Sequence, residues 1–242
     1  MSRDYLGEAI GYAYDVIEGR VPACEFVRQA CTRQIRDLED GVPGYEFHAD
    51  RAEHPCRFIE KLPHIKGKLR GQKIRLEPWQ LFIITTVFGW IDGNGYRRFR
   101  WVYVEVPRKN AKSTLSSGIA LYCLVADGEG GPEVYSAATT RDQARIVWKD
   151  AKRMVEMTPG IRNRFGVEAL ANAITVEKDD AIFKALSRDQ GGNLDGLNVH
   201  CGVIDELHAH KTRDVFDVVE TATGAREQPL MWLITTAGFN RS

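Results

Sequence analysis

The chain has 242 residues, 43% of them hydrophobic and 27% charged, with 33 Lys and Arg balancing 33 Asp and Glu. This composition predicts a globular protein with one large core, and the zero net charge excludes a general basic field for nucleic acid. No apolar stretch is long enough to span a bilayer, and the N-terminus lacks the apolar core of a signal peptide. The five cysteines include no C-x-x-C pair, which indicates reduced thiols and gives a structural zinc site little support.

The first 75 residues are predicted to form a small helical and loop segment packed on a core of residues 76–242. The clearest amphipathic helix in this segment is EFVRQACTRQIRDLED, Glu25–Asp40, and the loop GVPGYEF follows it. Residues 51–100 contain eleven Lys or Arg against four Asp or Glu, concentrated in Arg57–Arg75 and Arg97–Arg100. Such a run is more often a solvated face, and contact with DNA is the alternative.

A strand, a loop and a helix are predicted around VPRKNAKST, Val106–Thr114. The preceding run WVYVEV has the residue types and period of a strand, and Leu115 and Ile119 follow at helical spacing. The loop matches the end of the phosphate-binding pattern G-x-x-x-x-G-K-[ST], but Val106 and Ala111 replace its two glycines. The stretch therefore indicates either a phosphate site at a helix N-terminus or an ordinary strand-to-helix turn.

Three further apolar runs predict strands, at Glu133–Ala138, Val199–Ile204 and Met231–Thr235, and helical patterns separate them. The helix after the first run has a capping-box pair, Thr140 with Gln143. Strands that alternate with helices form parallel βαβ units. The sequence therefore predicts an α/β core with a parallel sheet.

Two acidic residues directly follow an apolar strand in GVIDELH, where Asp205 and Glu206 come after Ile204. Open α/β sheets bind ligands at the carboxyl ends of their strands, which is also where the loop after Val106 opens. Asp205 could hold Mg²⁺ opposite Ser113, and Glu206 could orient an attacking water. The alternative is an acidic loop that only solvates the end of the sheet.

Two other short stretches fit the same chemistry, although each could be a plain turn. In LEPWQ the amide of Gln80 can both donate to and accept from an adenine edge. In ITTAG the hydroxyls of Thr235 and Thr236 could sense the terminal phosphate. His208 and His210 lack the spacing of zinc ligands, so a metal site built on them is discounted.

Taken in chain order, LEPWQ, VPRKNAKST, AATTRDQA, GVIDELH and ITTAG resemble the ATPase domain of the large terminase subunit of tailed bacteriophages, over Leu76–Gly238. The resemblance implies a RecA-like P-loop NTPase of the ASCE type, with a mainly parallel central sheet flanked by helices. It implies ATP and Mg²⁺ as cofactors, and a glycine-poor Walker A loop is usual in this family. The implied activity is ATP hydrolysis that drives viral double-stranded DNA into a procapsid.

The same resemblance implies roles for individual residues. Gln80 would bind adenine, Lys112 the β and γ phosphates, and Glu206 the nucleophilic water. Ser113 and Asp205 would hold Mg²⁺. The other implied nucleotide-binding positions are the rest of the loop and the coupling motif, with Arg108 or Lys109 as the early basic residue of the loop: Arg108, Lys109, Asn110, Ala111, Thr114, Thr235 and Thr236.

The resemblance also implies a ring of subunits, each with an arginine that reaches into its neighbour, and Arg141 and Arg145 are the candidates. The implied partners are viral double-stranded DNA, the portal protein, the small terminase subunit and further copies of the chain, with no membrane. The implied location is the host cytoplasm, at the procapsid portal. A C-terminal nuclease domain is expected to be absent from this chain, so no DNA cleavage is expected from it.

Two alternatives remain open at this stage. A superfamily 2 helicase is one, because Asp205–His208 spells D-E-L-H and a glutamine precedes the loop. Such helicases need a second RecA-like domain and usually keep G-K-[ST]. A nucleotide-binding scaffold without hydrolysis is the other, and Glu206 disfavours it because a passive binder has no use for a carboxylate aimed at water.

Overall fold

The computed structural model describes residues 3–138, 141–186, 196–210 and 212–236. Its contacts divide the chain into two units, one of Met1–Glu60 with Arg75–Phe99 and the other of Lys61–Ile74 with Arg100–Ser242. This grouping differs from the predicted division at residue 75. Residues 75–99 join the N-terminal unit because their helix packs against two N-terminal helices, whereas residues 61–74 join the unit that contains the large sheet.

The first unit consists of four helices and a short two-stranded antiparallel sheet. Its elements are α1 Tyr5–Ile17, α2 Glu25–Asp40, β1 Tyr45–Phe47, α3 Ala49–Ile59, α4 Pro78–Gly89 and β2 Trp90–Asp92. The predicted helix over Glu25–Asp40 is confirmed. Helix α4 is apolar on nearly all faces and packs against α1 and α3, which is the behaviour expected of a core helix.

The second unit is a seven-stranded sheet with helices. Its elements are β3 Trp101–Glu105, α5 Lys112–Val125, β4 Glu133–Ala137, α6 Arg141–Glu156, α7 Pro159–Phe165, β5 Val167–Ala169, β6 Ile174–Val176, β7 Ala181–Ala185, β8 Val199–Ile204, α8 Asp214–Thr221 and β9 Leu230–Thr235. The strand order is β3-β9-β8-β4-β7-β6-β5. The first five strands in this order are parallel to one another, and β6 pairs antiparallel with both β7 and β5.

The mainly parallel α/β architecture is confirmed, and so are all four predicted strands. Strands β8 and β9 are buried along their whole length, as expected for central strands covered on both faces. Strands β5, β6 and β7 were not predicted, and two of them have only three residues, which is too short for an alternating pattern to be recognised. Among the described residues, no helix is both long and apolar enough to cross a membrane.

The strand order decides which loops meet. Strand β9 lies between β3 and β8, so the carboxyl ends of these three parallel strands are neighbours. Their ends lead into the loop before α5, into Thr235 and Thr236, and into Asp205 and Glu206. Side chains that are far apart in the sequence are therefore gathered at one edge of the sheet.

Candidate active site

The loop Val106–Ala111 joins β3 to the first turn of α5, which contains Lys112, Ser113 and Thr114. Its turn is closed by Asn110, whose side-chain amide donates to the carbonyl oxygen of Pro107 at 3.1 Å. Arg108 and Lys109 lie at its exposed tip. Since α5 begins at Lys112, the free N–H groups of the helix point into the loop, where a phosphate could accept them.

Two residues of the loop have the left-handed backbone that glycine normally supplies. Lys109 has φ 69° and Ala111 has φ 55°. Ala111 is the N-cap of α5 and occupies the position of the second glycine in the usual pattern. The loop therefore adopts left-handed backbone at two non-glycine positions, one of them a glycine position of the pattern, at a cost of about 1–2 kcal/mol per residue.

Replacement of Ala111 tests this backbone strain. We expect Ala111→Gly to raise the free energy of unfolding by up to about 1 kcal/mol, because glycine adopts positive φ without a Cβ clash. Ala111→Val should lower it by about 2 kcal/mol or more, since a β-branched residue is an outlier in this conformation. Urea denaturation measures both. Ala222→Gly is the control, because Ala222 has φ −70° and the change there should destabilise.

Asp205 and Glu206 follow the end of β8 and face different partners. The Oδ1 atom of Asp205 accepts a hydrogen bond from the backbone N–H of Glu206 at 2.8 Å. Glu206 has φ 51°, so it is one of four described non-glycine residues with positive φ, and three of the four lie in this site. Strained backbone of this kind concentrates at functional sites.

The loop and the acidic pair meet through a direct contact. The Nζ atom of Lys112 lies 3.4 Å from Oε1 of Glu206, and the two side chains are 10% and 28% exposed. Thr236, after β9, donates from Oγ1 to Oε2 of the same carboxylate at 3.4 Å. The three strand ends are thus connected through the side chain of Glu206.

His208 also contacts this carboxylate, and the sequence analysis missed it as a site residue. Its Nδ1 lies 2.6 Å from Oγ1 of Thr235 and 3.3 Å from Oε2 of Glu206. Its backbone N–H donates to the same Thr235 hydroxyl at 3.3 Å. The signal in the sequence was the D-E-L-H stretch, which we used as a helicase-like feature, whereas His208 itself was considered only as a metal ligand together with His210.

Burial raises the pKa of the Asp205 carboxyl above its ordinary value, and the neighbouring charge of Glu206 acts in the same direction. The hydrogen bond from the Glu206 N–H, the charge of Lys112 and the proximity of His208 oppose this shift. A buried carboxylate is costly without a nearby cation. Its oxygens, with the hydroxyl of Ser113 in the first turn of α5, are hard donors that suit Mg²⁺.

The family model of the terminase large subunit, ATPase domain, matches residues 78–242. The chain belongs to this family. Among curated relatives, the large terminase subunit of Enterobacteria phage HK97 is 30% identical over 194 residues, which cover 78% of this chain and 37% of that protein. Protein YmfN of Escherichia coli K12 is 41% identical over 75 residues, 31% of this chain and 16% of that protein.

Solved structures agree with this terminase assignment. The HK97 large terminase is similar with a TM-score of 0.64 and 29% identity, covering 76% of this chain and 37% of that one. The ATPase domain of the Thermus phage P74-26 large terminase has the same fold, with a TM-score of 0.51 and 21% identity over 76% of this chain and 70% of that one. The chain thus spans little more than a third of the HK97 proteins that it matches.

The family assignment makes this chain an ATPase domain of RecA-like fold and removes the helicase alternative. ATP is accordingly its nucleotide. The strand order is consistent with this assignment. Strand β9 lies between β3, which precedes the phosphate loop, and β8, which precedes the acidic pair, so Thr235 and Thr236 lie between the loop and the pair.

The remaining predicted residues of the terminase site lie outside this cluster or outside the described side chains. Gln80 belongs to the first unit, where its Oε1 accepts from the Glu77 N–H at 2.9 Å in a capping box at the start of α4. Arg145 donates to Oδ1 of Asn172 at 3.0 Å and lies over the ring of Trp148. Arg141 begins α6, and its side chain is outside the described part of the chain, as are Thr140 and the end of ITTAG.

Proposed function

We propose that this chain hydrolyses Mg²⁺-bound ATP to drive the translocation of viral double-stranded DNA into a procapsid. One observation carries the proposal: Lys112, Glu206 and Thr236, from three neighbouring strand ends, converge beside the buried carboxyl of Asp205. A cation for phosphates, a carboxylate for water and a buried ligand for metal are the parts that phosphoryl transfer to water requires.

Each group has a distinct role in this proposal. Lys112, with the free N–H groups of the first turn of α5, binds the outer phosphates. Ser113 and Asp205 hold Mg²⁺, which would neutralise charge on the phosphate oxygens when bound. Glu206 orients the attacking water and accepts its proton. Gln80 contacts adenine, and Arg108 or Lys109 adds positive charge at the tip of the loop.

The contact between Lys112 and Glu206 suggests how binding and hydrolysis are linked. Without nucleotide, the ammonium group neutralises the carboxylate at 3.4 Å. A bound phosphate competes for Lys112, because phosphate offers several charged acceptors. Glu206 is then released toward water while Thr236 and His208 still hold its other oxygen. In this way Thr235 and Thr236 would transmit the state of the nucleotide to the sheet.

An arginine from a neighbouring subunit would complete the site in a homo-oligomeric ring. Arg141 and Arg145, near the start of α6, are the two candidates. Arginines supplied in this way contribute roughly 10³–10⁵ to kcat. The further proposed partners are the portal protein and the small terminase subunit, in the host cytoplasm at the procapsid portal.

Phosphate release from Mg²⁺-ATP, measured over a dilution series with and without double-stranded DNA, tests this function. We expect activity per molecule to rise with protein concentration and to be stimulated by DNA. Of Arg141→Ala and Arg145→Ala, the one that removes the trans arginine should flatten the rise. Absence of phosphate release at every concentration would contradict the proposed activity, and an activity independent of concentration would place the arginine in cis.

A basic hairpin, residues 61–74, is the proposed contact with DNA phosphates. It contains five Lys or Arg and no Asp or Glu, and residues 66–73 are all exposed. Backbone bonds between His64 and Gln72 and between Leu62 and Ile74 close it. Three other basic residues of the region are less available for DNA, since Arg57 pairs with Glu53, Arg98 pairs with Asp37 and Arg97 is 3% exposed, whereas Arg75 and Arg100 are exposed.

Charge reversal in the basic hairpin should weaken DNA binding. We expect Lys68→Glu, Arg70→Glu and Lys73→Glu together to lower the affinity at least tenfold. They should also reduce the slope of log K against log salt by up to about 2.7, because each lost phosphate contact removes ~0.9. Fluorescence anisotropy with a DNA duplex measures both. Lys66 is left unchanged, since it pairs at 2.6 Å with Asp150, whose side chain is 7% exposed.

The control is a triple change to Glu at three exposed basic residues elsewhere in the sheet unit, which alters the net charge by the same amount: Lys149, Arg162 and Lys178. If both triple variants lose the same affinity, the effect is one of overall charge and the basic hairpin has no special role. A hairpin variant with unchanged affinity and slope would identify residues 61–74 as a solvated face.

A further inference from the structure

A second cluster of metal-ligating side chains lies at the opposite end of the sheet from the nucleotide site. It consists of Cys123 in the last turn of α5, Asp127 just beyond that helix, and His200 near the start of β8. The three residues are 1%, 7% and 0% exposed. One ligand atom from each lies within 4.8 Å of the others.

The donor set fits a zinc ion. Thiolate sulfur, imidazole nitrogen and carboxylate oxygen are the usual protein ligands of Zn²⁺, at roughly 2.0–2.3 Å. Bonds of that length hold tetrahedral ligand atoms about 3.4–3.6 Å apart. The ring of His200 and the carboxylate of Asp127, now 2.7 Å apart, would separate slightly while Cys123 approaches. A water molecule could fill the fourth position.

The two ring nitrogens of His200 both face carboxylates, as in histidines that bind a metal through one nitrogen. Its Nε2 faces Asp127, and its Nδ1 lies 3.6 Å from Oε2 of Glu129, too far for a hydrogen bond. This buried Nδ1 has no hydrogen-bond partner among the described residues. A metal ion on Nε2 would fix the proton on Nδ1, and a small shift would let it donate to Glu129, as carboxylates do behind metal-bound histidines.

The charges also balance with a divalent ion. Arg226 lies 3.0 Å from Glu129 and donates to the carbonyl oxygens of Gly130 and Gly131, so the positive charge of the arginine neutralises Glu129. Asp127 and a Cys123 thiolate would together add two negative charges, which Zn²⁺ cancels. Buried charges are tolerated when they are paired or bind a metal.

We propose that Cys123, Asp127 and His200 form a structural zinc site. The spacing of cysteines and histidines in the sequence disfavoured a zinc site, because zinc ligands usually occur in closely spaced pairs. Here the third ligand comes from a distant strand. The ion would tie the end of α5 to the start of β8. These are the two elements whose other ends carry Lys112 and Asp205, so zinc would stabilise the scaffold without touching the nucleotide.

Metal content and thermal stability test the zinc site without reference to ATPase activity. We expect untagged protein, reconstituted with Zn²⁺ and dialysed, to retain about one zinc per chain by mass spectrometry. Chelation should lower its Tm, and Zn²⁺ but not Mg²⁺ should restore it. With Co²⁺ in place of zinc, a thiolate-to-metal charge-transfer band should appear, because the proposed ligands include a cysteine.

The matched variants are Cys123→Ser and Cys201→Ser, since both thiols are buried and Cys201 neighbours His200 on β8. The Co²⁺ charge-transfer band and the retained zinc should be lost in Cys123→Ser and kept in Cys201→Ser. Asp127→Asn should lower zinc retention in the same way and serves if Cys123→Ser does not fold. Parent protein that retains no zinc and shows no Tm shift would overturn the proposal and leave a buried hydrogen bond between His200 and Asp127.

Discussion

Glu206→Gln is expected to reduce kcat for ATP hydrolysis by about 10²–10⁴ while nucleotide affinity changes little, because a general base contributes a factor of that size. The amide keeps the shape of the side chain and can still accept from Thr236, which now contacts the carboxylate at 3.4 Å. It cannot accept a proton from water. Single-turnover hydrolysis and fluorescent-nucleotide titration separate the two effects.

Lys112→Ala should have the opposite profile and serves as the comparison for Glu206→Gln. Loss of the ammonium group removes charge-assisted hydrogen bonds to phosphate of about 1.5–3 kcal/mol, so affinity should fall roughly 10–100-fold. Glu168→Gln, an exposed position on β5, is the neutral control. A Glu206→Gln variant that turns over at the parental rate would remove Glu206 from the proposed mechanism.

Asp205→Asn is expected to raise the Tm of the nucleotide-free protein at neutral pH and to abolish stabilisation by Mg²⁺-ATP. Asp205 is 5% exposed, and burial raises its pKa. The parent should gain ~2.7 kcal/mol at a ligand concentration of 100 Kd, about 5–10 °C for a chain of this size. The variant keeps the oxygen that accepts from the Glu206 N–H but lacks the charge that Mg²⁺ requires.

The pH dependence of this difference has a defined sign. Because the pKa is raised in the folded state, that state binds more protons than the unfolded chain between the ordinary value of 3.8 and the raised value. Stability of the parent therefore falls as the pH rises through this window, and the advantage of Asp205→Asn should shrink as the pH is lowered to 4. Differential scanning fluorimetry at several pH values measures this.

The exposed Asp40→Asn is the control for this experiment, and its effect on Tm should be small at every pH. A nucleotide-free Asp205→Asn protein less stable than the parent at neutral pH would mean that the carboxylate is compensated by neighbours such as Lys112. Retained stabilisation of the variant by Mg²⁺-ATP would show that another group holds the metal.

The local sequence pattern was sufficient to predict much of the fold and of the candidate site. The apolar runs that became β3, β4, β8 and β9 could be identified because buried parallel strands are continuous hydrophobic segments. The K-S loop and the D-E pair could be placed at strand ends for the same reason. The left-handed backbone at Ala111 could not be predicted, since alanine has no intrinsic preference for it and the surrounding fold imposes it.

What the sequence by itself determined was the α/β class, the phosphate loop and the acidic pair, because each is encoded within a few consecutive residues. Only the tertiary structure decided that β9 lies between β3 and β8, that Glu206 contacts both Lys112 and Thr236, and that residues 61–74 join the sheet unit. The proximity of Cys123, Asp127 and His200 was also decided only by the tertiary structure. Such contacts join distant segments through strand order and packing, and no local periodicity records which strand lies beside which.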